Sequence, residues 1–245
     1  MPENNPTKKE AFKVLGIPEF RHLLAGRFLF IMGLRMLGTL TGWWIYELTN
    51  DPFAIGLIGL AEVIPAVSLA LYAGYIIDIS EKRTLLLRGI LFYLSCALLL
   101  LLLSTHYSLA QLGKNWVVFS IYIVIFFTGI IRAFTGPLFG TMLAAIVPRD
   151  QLQSATTWNQ GIWLSASVTG HAAAGFLIAG IGNTGALLII VSFIATGFIF
   201  LYQLKAKPAL NKKGEKTGLE SVKEGLRFVF KTKEVLGALS LDLFA

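Results

Sequence analysis

The chain has 245 residues, of which 55% are hydrophobic and 14% are charged. Soluble domains carry about 25% charged residues, so this shortfall argues against a soluble enzyme and for a protein that lies in lipid. The net charge of +7, from 21 basic and 14 acidic residues, raises nucleic acid as a partner, but the positions of the cations along the chain argue against it.

The apolar residues occur in blocks of about 20, the length that crosses a hydrocarbon core about 30 Å thick. Turn-forming residues separate the blocks, beginning with Thr49-Asn50-Asp51-Pro52. Such short connections require neighbouring helices to run antiparallel. The sequence therefore predicts an all-α membrane protein with a bundle of six transmembrane helices in residues 23–204. The predicted crossings are residues 23–48, 54–77, 84–104, 116–141, 156–179 and 185–204.

Lysine and arginine lie in alternate loops, which orients the helices because short basic loops stay in the cytoplasm. The loops after helices 1, 3 and 5 hold one cation, Lys114. The other loop cations lie in the N-terminal segment 1–22, in the two intervening loops and after helix 6. We therefore expect a multi-pass protein of the inner (plasma) membrane with a cytoplasmic N-terminus.

Residues 205–233 are basic and too polar to cross a membrane. The second half of this stretch has apolar residues at helical spacing, namely Leu219, Val222, Leu226 and Val229. The pattern predicts a cytoplasmic linker that contains an amphipathic helix on the membrane surface. Residues 234–245 are interpreted as the truncated start of helix 7, which makes the chain a fragment of a longer protein.

A charged motif lies between helices 2 and 3, where Gly74 is followed by Asp78 and then by the basic pair Lys82 and Arg83. This motif resembles the signature loop of the major facilitator superfamily, although Glu81 stands where that family usually has a glycine. In the family, the glycine allows close helix approach, and the charges form a network that latches two six-helix halves together. The resemblance implies a gating loop here and a missing C-terminal half as a partner.

Two further elements resemble the same family. Residues 132–136, Arg-Ala-Phe-Thr-Gly, are similar to its Arg-x-x-Gln-Gly element in helix 4. Residues 170–175 are similar to the Gly-Pro-x-x-x-Gly element of its exporters, with His171 in place of the proline. Residues 224–230 look like the linker of drug and siderophore efflux members. The resemblance implies an antiporter-like efflux protein with a small-molecule substrate, and it gives Gly136, Gly170 and Gly175 a role in helix packing.

Ionisable residues inside the predicted crossings are candidates for function. Each costs about 2.5–3.5 kcal/mol on insertion scales and usually faces a cavity and a partner. A reversal at Asn50 brings Arg35 and Glu62 to similar depth, so we expect them to form an ion pair. This pair either fixes helix packing alone, or lets Glu62 take up a proton or contact substrate while Arg35 stabilises the ionised carboxylate.

Arg132 and His171 are the other two candidates for proton or substrate contact. Arg132 either acts in its helix 4 element or snorkels toward the cytoplasm. His171 either titrates near neutral pH or packs against a neighbouring helix through a hydrogen bond. The polar residues before it on helix 5 either line a cavity or join helices. They are Asn159, Gln160, Ser165 and Ser167.

Three other readings are set aside. Residues 180–185 match G-x-G-x-x-G, but they follow a crossing helix and lack the later acidic residue of a nucleotide site. The three histidines lie at different depths and Cys96 is the single cysteine, so no metal site or cofactor is expected. Ser167 and His171 lack a third group for hydrolysis, so the chain is not expected to be an enzyme. The family resemblance implies proton-coupled efflux by alternating access, and the alternative is a non-transporting structural or assembly subunit.

Overall fold

The structure is a computed structural model that describes residues 12–207. Within this range the chain forms helices and no strands, as predicted. Most of the predicted linker and the predicted start of helix 7 lie outside the described residues. The helices are α1 (Pro18–Thr49), α2 (Pro52–Ile79), α3 (Lys82–Leu103), the short α4 (His106–Leu112), α5 (Lys114–Ile146) and α6 (Leu152–Tyr202).

The reversal between α1 and α2 follows from three consecutive residue types. Asn50 ends α1 in the left-handed conformation (φ 55°), which asparagine tolerates better than most residues. The Asp51 carboxylate then caps α2 by accepting a hydrogen bond of 2.9 Å from the Phe53 N–H. Pro52 takes the first helical position, where its missing N–H costs nothing. The predicted break at this point is therefore a tight turn.

Helix α6 is too long for one crossing. Its 51 residues would extend about 76 Å at about 1.5 Å per residue, against a hydrocarbon core of about 30 Å. Gly182 interrupts it with φ 70° and ψ −179°, a backbone conformation that is essentially restricted to glycine. The connection predicted over residues 180–185 is thus reduced to a single non-helical residue, with a first arm (152–181) before it and a second arm (183–202) after it.

The contacts of α1 show that the two arms of α6 are antiparallel crossings. Arg27 hydrogen-bonds Asn159, and Thr39 contacts His171, each pair being 132 positions apart. A constant separation means that the first arm runs parallel to α1. The second arm runs the opposite way, as the glycine contacts of α1 show.

Those glycine contacts bring the second arm close to α1. A β-carbon on Gly33 would lie 2.7 Å from Ile194 Cγ1, and one on Gly26 would lie 2.5 Å from Leu201 Cγ. Residue numbers therefore fall along the second arm as they rise along α1. The absence of side chains at these two positions allows the close approach that stabilises helix pairs in lipid.

The remaining helices alternate in the same way. The Tyr122 hydroxyl of α5 donates a 2.9 Å hydrogen bond to the Ala54 carbonyl near the start of α2, so these two helices run parallel. The Phe92 and Phe127 rings join α3 to α5 with their centroids 6.3 Å apart. Five helices in the described range are long and apolar enough to cross a membrane. Because α6 contributes two arms, the bundle has six crossings, and the chain is a multi-pass membrane protein.

The outward faces of the bundle are apolar. Phe53, Val67 and Phe176 are 70%, 68% and 80% exposed, which would be unfavourable in water but is normal against lipid or another apolar surface. The buried core includes residues of all six crossings, and within it the Phe30 ring contacts the rings of Tyr93 and Phe139. The charged residues Arg35, Glu62 and Arg132 line cavities beside this core.

Candidate functional site

An ion pair joins α2 to α5 inside the bundle. Arg132 Nη1 lies 2.9 Å from Glu62 Oε1, and the two side chains are 42% and 26% exposed. Gly129 lies one turn before Arg132, and a β-carbon there would be 2.7 Å from the Pro65 ring and 3.0 Å from the Glu62 carbonyl carbon. The glycine therefore lets the α2 backbone approach α5 where the two charges meet.

The predicted partnership of Glu62 with Arg35 is wrong, because Glu62 pairs with Arg132. Arg35 instead places its guanidinium carbon 5.5 Å from the centre of the Trp163 ring on the first arm. The Nε atom of Arg35 is buried and has no hydrogen-bond partner among residues 12–207. Arg35 and Glu62 do line the same cavity, as their similar depth predicted. The orientation of α1 about its own axis, however, directs the Arg35 guanidinium toward Trp163 of α6.

A second arginine of α1, Arg27, belongs to the same site and was not among the candidates. It donates a hydrogen bond from Nη1 to Asn159 Oδ1, and its guanidinium carbon lies 5.2 Å from the Phe139 ring centre. Its Nε atom is also buried and unpartnered within the described range. Its spacing of eight residues from Arg35 puts both arginines on one stripe of a helix, which is the sequence signal that could have found it.

Two neighbouring cavities lie among these side chains and share Leu34, Arg35 and Arg132. The smaller cavity has a volume of about 60 Å³ and is lined in part by Glu62 and Tyr93. The larger, of about 250 Å³, lies between α1, α5 and the first arm. It is lined by Arg27, Phe30, Ile31, Leu34, Arg35, Arg132, Thr135, Gly136, Phe139 and Trp163.

His171 lines the smaller cavity from the first arm, and its Nδ1 atom lies 2.7 Å from the Thr39 hydroxyl of α1. That hydroxyl donates its hydrogen to the Arg35 carbonyl at 3.2 Å. The hydrogen bond to a neighbouring helix that was one of the two expectations for His171 is present, and it ties the first arm to α1.

The three glycines assigned to helix packing differ in their surroundings. Gly170 contacts α1 closely, because a β-carbon there would lie 2.9 Å from both Arg35 Cβ and the Met32 carbonyl oxygen. A β-carbon at Gly136 or Gly175 would meet nothing within 4 Å. These two depart from the expectation because each lines a cavity, so that no residue of a neighbouring helix in the described range packs directly against it.

The loop between α2 and α3 contacts the end of α6. Arg83 donates a 2.6 Å hydrogen bond from Nη2 to the Tyr202 carbonyl, and its guanidinium carbon lies 5.0 Å from the Tyr202 ring centre. Asp78 is exposed at the end of α2. Gly74 makes no close helix contact within the described range, since no residue of another element lies within 4 Å of a β-carbon placed there. The loop is thus attached to this half through Arg83.

Glu81 holds this loop and the chain after α6 together. Its carboxylate caps α3 by accepting hydrogen bonds from the Arg83 and Thr84 N–H groups, and it accepts a 2.8 Å hydrogen bond from the Lys207 N–H. Burial alone would raise the pKa of Glu81, but the hydrogen bonds from Thr84, Lys207 and Arg83 outweigh it and lower the pKa below its ordinary value. Lys207 Nζ also lies 3.0 Å from Glu19 of α1.

Comparison with known proteins points to one family. The family model of the Major Facilitator Superfamily matches residues 23–245. No curated protein matches the chain. Among solved structures, the in meso crystal structure of the POT family transporter PepTSo is similar, with a TM-score of 0.66 and 14% sequence identity. The match covers 80% of this chain and 40% of PepTSo, so the chain spans less than half the length of that transporter.

Proposed function

Because the chain belongs to the Major Facilitator Superfamily, we propose that it forms the N-terminal half of a secondary transporter that couples protons to the export of a small molecule by alternating access. The observation that carries this proposal is the ion pair of Glu62 and Arg132 beside two neighbouring cavities that share lining residues. A structural subunit that transports nothing has no need for charged groups around a cavity at this depth, where they are costly.

Glu62 is proposed as the proton carrier. The ionisable groups that share its cavity are Arg35 on α1, Tyr93 on α3, Arg132 on α5 and His171 on the first arm. Protonation turns the Glu62 carboxylate into a neutral acid, so the attraction to Arg132 is lost and the contact of α2 with α5 weakens. A proton drives a conformational change only if it binds two states with different affinity, and an ion pair made in one state and broken in the other provides that difference.

The loop between α2 and α3 is proposed as the gate. Arg83 already contacts Tyr202 at the end of α6, while Asp78 is exposed. Under the proposal, Asp78, Lys82 and Arg83 stabilise one of the two conformations. The exposed Asp78 contacts a C-terminal half, while Lys82, which is buried in the described range, and Arg83 hold the loop against this half. Gly74 gives α2 the room for that half to approach, since the space beside it is open in the described range.

We propose that the bundle lies in the inner membrane and that its N-terminus is in the cytoplasm. This orientation is supported by the described cations that lie at the end of the bundle where α1 begins and α6 ends. These are Lys13, Arg21, Lys82, Arg83, Arg149, Lys205 and Lys207. The opposite end has Lys114 among the described residues, and an asymmetry of this kind supports a cytoplasmic position for the basic end.

The proposal is tested in proteoliposomes of the full-length protein that contain a pH-sensitive dye. An imposed proton gradient is followed while 2-naphthoate, 2-naphthamide or 2-naphthyltrimethylammonium is added, since these probes share the naphthalene ring and carry a negative, a neutral and a positive substituent. We expect at least one probe to accelerate proton movement in wild-type vesicles and not in vesicles without protein. If none of them does so, and none exchanges across the membrane either, coupled transport of small amphipathic molecules is contradicted.

A further inference from the structure

We infer that the larger cavity is an anion-binding subsite, formed by Arg27, Arg35 and Arg132, and that its ligand is a small aromatic carboxylate. The inference rests on the proposed function, because it names the class of substrate that the same site would bind. It rests on its own observations for its chemistry, which are an excess of positive charge, unpartnered guanidinium nitrogens and aromatic walls.

The charge of the site is unbalanced. The side chains that line the two cavities include three guanidinium groups and one carboxylate, Glu62, which gives 3 − 1 = +2 with His171 neutral. Glu62 is already paired with Arg132. The positive charges of Arg27 and Arg35 therefore have no anionic partner in the part of the chain that the structure describes.

The hydrogen-bonding capacity of the two α1 arginines is also incompletely used. A guanidinium has five N–H donors in a planar fork that fits a carboxylate in two parallel hydrogen bonds. The Nε atoms of Arg27 and Arg35 are both buried and unpartnered within residues 12–207. Buried donors usually have partners, so the two orphaned Nε atoms show that neither guanidinium group has all its hydrogen-bond partners within the described range. Both arginines line the larger cavity, which is where a ligand carboxylate would be bound.

The walls of the cavity favour an aromatic ligand. Phe139 faces the Arg27 guanidinium and Trp163 faces that of Arg35, both at the distances of cation–π contacts. A ligand ring can stack on these side chains while its carboxylate meets the arginine forks. A closed cavity of about 150 Å³ binds benzene, so the larger cavity, at about 250 Å³, can contain a ring system of one or two rings.

The test is binding to the full-length protein in nanodiscs of phosphatidylcholine alone, measured by calorimetry. The probes are benzoate, 2-naphthoate and indole-3-acetate, each compared with its neutral amide. We expect at least one carboxylate to bind about 10-fold more tightly than its amide, the difference that one charge-assisted hydrogen bond makes. Repeating the titration with anionic lipid in the nanodisc shows whether a lipid headgroup competes for the site.

Substitutions then locate the binding. Arg35→Gln is expected to weaken the carboxylate about 10-fold or more and to leave its amide unchanged, while Arg35→Lys keeps the charge and restores part of the affinity. Arg149→Gln, an exposed arginine in the loop before α6, is the matched control and is expected to change nothing. A wild-type circular dichroism spectrum in each variant excludes misfolding.

Three results would overturn the inference: no binding by any carboxylate, equal binding of acid and amide, or unchanged carboxylate binding in Arg35→Gln. If anionic lipid abolishes the binding and no carboxylate binds in its presence, the occupant is a lipid headgroup and the aromatic carboxylate is rejected. The two proposals fail separately. If a carboxylate binds in an arginine-dependent way but no probe moves protons, coupled transport is rejected and the anion subsite stands. If only the neutral or the cationic naphthalene probe drives proton movement, the anion subsite is rejected and coupled transport stands.

Discussion

Arg132 and Glu62 form a 2.9 Å ion pair that joins α5 to α2 at the edge of the central cavities. The pair is partly exposed, so its contribution to stability is modest, and under the proposed function its importance lies in the uptake of a proton by Glu62. Gly129 and Pro65 bring the two backbones together beside it. Protonation of Glu62 would therefore act directly on the contact between α2 and α5.

The first prediction concerns this contact. Gly129→Ala places a methyl group against the α2 backbone and is expected to lower the free energy of unfolding by about 1–3 kcal/mol, as overpacking does. Gly136→Ala, two turns further along the same helix, adds its methyl to open space and is expected to be neutral or to stabilise by about 0.5–1 kcal/mol. The two thermal unfolding midpoints in detergent are compared, and equal midpoints would contradict the close approach at Gly129.

The second prediction concerns the reversal within α6. Gly182→Ala forces an alanine into φ 70° and ψ −179°, which costs about 1–3 kcal/mol. The control is Gly180→Ala, where a β-carbon meets nothing within 4 Å. We expect a lower unfolding midpoint for Gly182→Ala than for Gly180→Ala. If the order is reversed, Gly182 does not have the conformation described.

The third prediction concerns Glu81 and pH. Its pKa is lower in the folded chain, so its contribution to stability is complete above the ordinary carboxyl pKa and is lost as the pH falls through the folded pKa. The unfolding midpoint of the wild type is expected to fall more steeply between neutral and acid pH than that of Glu81→Gln. Asp150→Asn, in an exposed loop, is the control that should follow the wild type. Parallel curves for wild type and Glu81→Gln would show that the Lys207 and Thr84 hydrogen bonds contribute nothing.

The fourth prediction concerns orientation. In a Cys96→Ala background, Lys114→Cys is expected to react with a membrane-impermeant maleimide added to intact cells, while Asp150→Cys reacts only after the cells are opened. Residue 114 lies at the start of α5 and residue 150 beyond its end, so the two probe opposite sides of one crossing. The reverse labelling pattern would place the N-terminus outside.

The fold could be predicted because it depends on one strong signal. Apolar length set by bilayer thickness predicted all six crossings to within a few residues, and glycine density located the reversal at Gly182. The finer contacts were less predictable. Depth put Arg35 near Glu62, but the partner of Glu62 is Arg132 because α2 packs along α5, and depth carries no information on which helices are neighbours.

The close helix contacts made by glycines were also not predictable from local sequence. The motif resemblance singled out Gly136 and Gly175, which line cavities, while Gly129 and Gly33 make close helix contacts that no local pattern distinguishes. A glycine is needed where two helices cross, and the crossing point follows from the assembled bundle. Arg27 was missed for a similar reason, because its contacts with Asn159 and Phe139 also follow from the assembled bundle.

The most direct test of the central claim is the effect of Glu62→Gln on proton movement and on substrate exchange. Proteoliposomes of the wild type and the variant are compared in two assays, proton flux driven by the active probe and exchange of labelled probe without a gradient. We predict that Glu62→Gln abolishes the proton flux and its pH dependence while exchange continues, because the amide cannot take up the proton. Unchanged proton flux in Glu62→Gln, with the Asp150→Asn control also unchanged, would contradict the assignment of Glu62 as the proton carrier.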